Sequence, residues 1–284
     1  ELERAYAQVK DNGQLNMALC CDFLSRRLSL HTDVEQRYTF EERYAALLRH
    51  HDASWINLWS ATSAYYHALR GETDKIPEIF SQHRLSDINL LVPGKPMMEM
   101  IENQVYLAEG AYAKVIGRSA ELLAVCETMH YALVALHVRI QTAAAYEKLG
   151  KSEEGRAWLR KALSDAAPDG LVMPFVENYE RLKPLLAREI KTELIEKITK
   201  LGEAAERRRD ESARPPVLDA LTGREYEVVR LMAQRLSNRE IAEKLYLSEG
   251  SVKQYVNQIY SKLHIEGDTR TKRKTLAGLL RQKT

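Results

Sequence analysis

Lys253, Gln254, Asn257 and Ser261 are side chains that exchange directional hydrogen bonds with the edges of nucleobases, and their spacing puts them on one arc of a helix. At about 100° per residue, Val252, Val256, Ile259 and Leu263 fall within about 60° of one another and form an apolar seam on the other side. The polar arc carries amides, a hydroxyl and one lysine instead of the Glu/Lys mixture of a merely solvated face. A helix so equipped fits a major groove. On an isolated helix the same arc is more often an ordinary solvated surface, so the reading depends on what holds the helix in place.

The neighbouring residues hold it. Thr222-Gly-Arg-Glu225 and Ser237-Asn-Arg-Glu240 both have the S/T-x-x-E form of a capping box and predict helices starting near 223 and 238. Ser248, followed by Glu249, predicts a third start after a tight turn at roughly Tyr246–Leu247. Asn238 and Arg239, at the amino end of the second helix, are placed to meet phosphate, where free N–H groups favour an anion. Asp268 or Thr269 can cap a fourth helix, whose Leu276, Leu279 and Leu280 form one apolar stripe.

This stretch resembles the LuxR-type, or GerE-type, helix-turn-helix family. Leu221, Thr222, Arg224, Glu225, Val228, Leu231, Ser237, Asn238, Glu240, Ile241, Ala242, Leu245, Ser248, Val252, Lys253, Ile259, Lys262 and Leu263 stand where that family's pattern wants them, with Ser251 and Tyr255 replacing the usual Thr and His. The resemblance implies a transcription regulator of double-stranded DNA with its third helix in the major groove, and raises a dimer on DNA and RNA polymerase as candidate partners. Base edges then fall to Lys253, Gln254, Asn257 and Ser261, and phosphates to Asn238, Arg239, Ser251, Tyr255, Lys262, Arg270, Lys272, Arg273 and Lys274. In HIEGDTRTKRK (264–274), Arg270-Thr271 comes two residues later than the family's R-T pair. Arg273 and Lys274 occupy its apolar positions, so this basic cluster is expected near the DNA backbone and the isolated 217–284 domain is expected to be monomeric off DNA.

The chain's net charge of +2 hides an asymmetry: residues 217–284 hold 13 Lys and Arg against 8 Asp and Glu, and the rest hold 29 against 32. Positive charge therefore gathers where phosphate neutralisation would use it. With 45% hydrophobic and 29% charged residues over 284 positions there is material for at least two packed domains. No apolar run is long enough to span a membrane and the opening residues show no basic segment followed by an apolar stretch, so a cytoplasmic protein is expected. Cys20, Cys21 and Cys126 form no C-x-x-C pair and, lying among apolar residues, are expected to be buried and free.

Residues 1–202 read as helices throughout, with apolar residues at three- and four-residue spacing. Gly13, Gly71, Gly110 and Gly150 each end a helix just before another begins, and the last three are 39 and 40 residues apart, a helix-pair repeat. Ala143, Tyr146, Gly150, Gly155, Leu159 and Ala162, with Pro168 after them, resemble the tetratricopeptide pattern, and LVMPFVENYERLKPLL (171–186) is similar to the segment closing the array in large MalT-like LuxR regulators. The concave surface of stacked helix pairs suits a small-molecule or protein effector, so the repeats are expected to receive the signal. The kinship implies ATP bound in a domain ahead of Glu1, the chain being expected to be a piece of something longer. Residues 187–209 read as one charged helix, with Ile190, Leu194, Ile198, Leu201 and Ala205 as a stripe that docks on the last repeat.

The expected architecture is all-α: an α-solenoid of tetratricopeptide-like helix pairs over 1–202, a charged Pro-Pro linker over 203–216, and a small four-helix LuxR-type domain over 217–284. Trp55, Trp59, Tyr65 and Tyr66 are read as packing between helices in preference to a small-molecule pocket, since nothing charged is obviously aimed at a ligand there. Catalysis is not expected. Pro93-Gly94-Lys95-Pro96 lacks the first glycine and the hydroxyl of a phosphate loop, so no cofactor is assigned to this chain. His50, His51, His130 and His137 have no completing metal ligands, and Glu153-Glu154 falls on an exposed turn. The rival to a regulator is a scaffold whose repeats bind a protein and whose helix-turn-helix is a docking surface.

Overall fold

The computed structural model describes residues 1–9, 15–31, 53–88, 92–212, 216–218 and 220–279. Gly13, His50 and His51 lie outside them, as do the side chains of Trp55, Arg270 and Leu280. The described residues contain helices and no strands. They divide into two compact units, Glu1–Arg208 and Arg209–Thr284.

In the first unit the helices are α1 (Leu2–Val9), α2 (Leu15–Ser29), α3 (Ala53–Arg70), α4 (Glu78–Ser81), α5 (Lys95–Glu109), α6 (Tyr112–Thr128), α7 (Ala132–Lys148), α8 (Ser152–Ala166), α9 (Met173–Glu177) and α10 (Tyr179–Leu186). From α5 to α8 each helix packs on the next across a turn of two or three residues. Each of these turns, and the one after α8, contains a left-handed residue: Gly110 (φ 79), His130 (φ 56), Gly150 (φ 74) and Gly170 (φ 61). The following N–H reaches back to the last helical turn: Ala111 to Tyr106 O (2.8 Å), Tyr131 to Cys126 O (2.8 Å), Lys151 to Tyr146 O (3.0 Å) and Leu171 to Ala166 O (3.1 Å). These are Schellman closures. The structural period is thus half the spacing the glycines show, because His130 takes the conformation glycine takes elsewhere.

Two cores fill this unit. One gathers Tyr65, Leu69, Phe80, Ile101, Val105, Leu122 and Val138 from α3 to α7, and the other Leu107, Leu136, Ile140, Leu159, Phe175, Leu182 and Leu185 from α5 to α10. Of the cysteines, Cys21 and Cys126 are buried as expected, but Cys20 is exposed, because neighbouring helical positions point about 100° apart.

Helix α11 (Glu193–Ser212) begins later than its charge pattern suggested and covers part of the stretch read as linker. Its buried side is Ile195, Ile198, Gly202 and Ala205, with Ile195 and Ile198 in the second core. The predicted stripe is corrected accordingly: Ile190 precedes the helix and is 86% exposed, and Leu201 is 38% exposed. The seam turns away from Leu201 because Gly202, having no side chain, admits the Tyr179 ring against the helix backbone.

The second unit comprises α12 (Gly223–Ala233), α13 (Asn238–Leu245), α14 (Glu249–Lys262) and α15 (Thr269–Leu279). They enclose Leu218, Leu221, Tyr226, Val228, Val229, Met232, Ile241, Val252, Ile259, Ile265 and Leu276.

Candidate nucleic-acid interface

The helix starts are built as the sequence specifies. Thr222 Oγ1 accepts from the Glu225 N–H (3.3 Å) while Glu225 Oε2 accepts from the Thr222 N–H (2.7 Å), and Ser237 with Glu240 makes the same pair of bonds at 3.3 and 2.7 Å. Ser248 Oγ caps α14 through the Ser251 N–H (3.0 Å), and Asp268 Oδ1 caps α15 through the Thr271 N–H (2.7 Å). Each cap satisfies a donor that the first helical turn leaves open and fixes where its helix points. In α13 the Ser237 and Glu240 amides are taken by the box. The first-turn N–H groups of Asn238 and Arg239 stay outside it.

Helix α14 divides as its sequence divides. Val252, Ile259 and Tyr260 are buried, Tyr255, Val256 and Leu263 are half-buried against the same core, and Lys253, Gln254, Asn257, Gln258 and Ser261 are exposed. The four side chains assigned to base edges therefore share one open face. Lys253 is held loosely by Glu249 one turn earlier (3.2 Å), an exposed pair of the kind that salt and competing phosphates displace.

The residues assigned to phosphates fare differently. Arg239 is exposed beside Glu243 (3.3 Å), and Lys274 is exposed. Ser251 Oγ lies 2.8 Å from Ser248 Oγ, and Tyr255 leans on the core. Arg273 donates to Asn238 Oδ1 (3.3 Å) and Leu236 O (3.5 Å), so the basic cluster of α15 is tied to the start of α13. Lys272 Nζ sits 5.5 Å from the centre of the Tyr260 ring. The side chain of Arg270 lies outside the described residues.

Lys262 has an intramolecular partner. Its Nζ is 2.7 Å from Glu225 Oε2, which also accepts from the Thr222 N–H and hydroxyl, so the cap of α12 is clamped to the last turn of α14. Burial works to raise the Glu225 pKa, but Lys262 and Thr222 outweigh it and hold the carboxylate below its ordinary range. Glu225→Ala is expected to lose about 1–2 kcal/mol, from the cap and from the ammonium left unpaired. Hydrogen exchange over 222–262 checks this, and protection unchanged in α12 and α14 would show the clamp to be slack.

Tyr246, which sequence reasoning passed over as a turn residue, ends α13 in the left-handed conformation (φ 54) and is 96% exposed. A large aromatic at a position suited to Gly or Asn is the signal that marks it.

Three short capped helices with an exposed amide-and-lysine face on the third make this unit a helix-turn-helix domain. Residues 219–273 match the luxR family of bacterial regulatory proteins, and the C-terminal unit is a domain of that family. Over 60 residues the chain is 47% identical to the transcriptional regulatory protein LnrK of Bacillus subtilis (strain 168), covering 21% of this chain and 27% of that protein. Over 52 residues it is 46% identical to the transcriptional regulatory protein DegU of Brevibacillus brevis, covering 18% of this chain and 22% of that one. The chain thus spans about a quarter of the length of these relatives. No solved structure matches it. No described helix is long and apolar enough to cross a membrane, and no cluster suited to a metal occurs among the described residues.

Proposed function

We propose that this chain is a transcription regulator that binds a specific duplex sequence through α14, and that the helical repeats of the first unit receive an effector or partner that governs the binding. The observation that carries the reading is the undivided exposed face of Lys253, Gln254, Asn257 and Ser261 on a helix whose position three caps and the Glu225–Lys262 clamp fix. Base edges are read by Lys253, Gln254 and Asn257, while Arg239, Lys274 and the amino end of α13 neutralise phosphates. The named relatives, both transcriptional regulatory proteins, support the same role for the shared domain.

Selection from a random duplex pool with the full chain, followed by binding measurements across salt concentrations, tests it. Lys253→Ala is expected to weaken the selected duplex by about 1–3 kcal/mol and leave random duplex unaffected. Lys274→Ala is expected to weaken both alike and to flatten the salt slope by about 1. Affinity for every duplex that ignores salt would sink the proposal and leave the rival docking-surface reading.

A further inference from the structure

The first unit contains a cavity of about 380 Å³ between α2, α9 and α11. Its walls are apolar: Leu24 and Leu28 from α2, Met173 and Val176 from α9, and Leu201 from α11. Leu24, Leu28 and Leu201 are 50%, 44% and 38% exposed, apolar surface that the described helices leave open. The volume falls at the small end of the ~300–1,000 Å³ typical of ligand sites.

Three charged groups border it, and two of them cancel. Glu177 is buried, and its Oε1 accepts from the Arg27 guanidinium (Nε, 2.9 Å) while its Oε2 accepts from the Tyr65 hydroxyl (2.6 Å). The third is Arg208, whose buried Nε has no acceptor among the described residues. His31 adds a ring whose nitrogens also lack hydrogen bonds among the described residues, Nε2 lying 3.9 Å from Glu177 Oε1. What the cavity offers is therefore an apolar slot with a guanidinium at its edge whose Nε is unpaired among the described residues. A guanidinium suits a carboxylate, which it can bind through two parallel N–H donors.

We propose that this cavity binds a small amphipathic monocarboxylate, its apolar body between Leu24, Leu28, Met173 and Leu201 and its carboxylate on Arg208. A phosphate or polyanion is disfavoured because Glu177 sits in the same wall. Arg208 and Leu201 both belong to α11, the helix that runs on to Ser212 past the boundary between the units, so an occupied cavity steadies the segment that leads out of the first unit. The assignment deepens the reading of the repeats as the part that receives a signal, and names the place and chemical class.

The test is calorimetric titration of the full chain with decanoate, 1-decanol and decylammonium. Saturable 1:1 binding of decanoate is expected, weakened about ten- to a hundredfold by Arg208→Gln, with 1-decanol binding weakly and equally to both proteins. Leu28→Trp, a change at an exposed position that fills the slot, is expected to abolish binding while leaving thermal unfolding unchanged. The proposal is overturned if the three probes bind alike, if Arg208→Gln changes nothing, or if no probe saturates, as when a helix of a partner or another part of the chain fills the cleft. Duplex binding is measured separately on the same protein. Decanoate bound through Arg208 with no affinity for DNA would uphold the cavity and sink the regulator reading.

Discussion

Glu177→Ala is expected to destabilise the first unit by about 3 kcal/mol, the lower end of the cost of removing one partner from a buried ion pair. The lower end applies because the Arg27 side chain keeps 30% of its exposure and can recover some hydration, whereas that of Glu177 is 1% exposed. Tyr65, itself buried, loses the 2.6 Å acceptor of its hydroxyl as well and keeps only His137 Nδ1 at 3.4 Å among the described partners. Glu177→Gln is expected to cost less, since an amide oxygen still accepts. The three tryptophans, Trp55, Trp59 and Trp158, all lie in the first unit, so their fluorescence in urea follows its unfolding without interference from the second. A loss below about 1 kcal/mol would mean that the pair is effectively solvated.

The same cluster dictates an acid response. Burial pushes the Glu177 pKa up, but neighbouring His31, Arg27, His137 and Tyr65 outweigh burial and hold it at about 2. His137 is lowered to about 4, chiefly by burial, with Glu177 opposing and Arg27 assisting. Both groups bind fewer protons folded than unfolded, so stability rises with pH through their windows. As pH falls, the loss begins near 6.5, where unfolded His137 starts to protonate, and continues from about 4.5 toward 2 as Glu177 is titrated. In Glu177→Gln the first stage is expected to persist and the second to shrink, the remainder resting on Glu72 and Glu189, which their own partners also hold below the ordinary carboxylate range. Loss below pH 4.5 undiminished in that variant would place the sensitivity on other carboxylates.

These residues also mark where sequence reading stops. The caps of α12, α13 and α14 were legible because each is a local pattern of four residues, and the exposed face of α14 because amphipathicity repeats within one helix. Glu177 and Arg27 are 150 positions apart, and Tyr65 belongs to a third helix, so no local period signals that they meet. Tyr65 is buried in a core, as the reading of it and the aromatic residues near it as packing expects, and its hydroxyl meets Glu177 there. His130 escaped notice for a different reason: its left-handed turn is set by the packing of α6 and α7, and histidine, unlike glycine, does not advertise it. Lys262 is a third case. Its bond to Glu225, 37 positions away, clamps α14 to α12 and follows no local pattern either.

Gly202→Ala is expected to cost about 2 kcal/mol, although alanine is the better helix former by about 1 kcal/mol. A Cβ at this position would overlap the ring of Tyr179, which is buried in the second core of the first unit and has little room to withdraw. Overpacking of this kind costs about 1–3 kcal/mol and here exceeds the propensity gain. The cause can be isolated by repeating the change in Tyr179→Leu. With the ring gone, Gly202→Ala is expected to become neutral or stabilising by up to about 1 kcal/mol, a coupling that two independent effects would not produce. Equal losses in both backgrounds would mean that the ring does not decide the cost. Because Leu201 and Arg208 lie on the same helix as Gly202, a shift of α11 away from Tyr179 moves both of them against the walls that α2 and α9 supply. Gly202→Ala is therefore expected to weaken decanoate binding without touching the ligand, and the Tyr179→Leu background to restore it. Decanoate affinity that stays constant while stability falls would show that α11 can be displaced at Gly202 without disturbing the cavity.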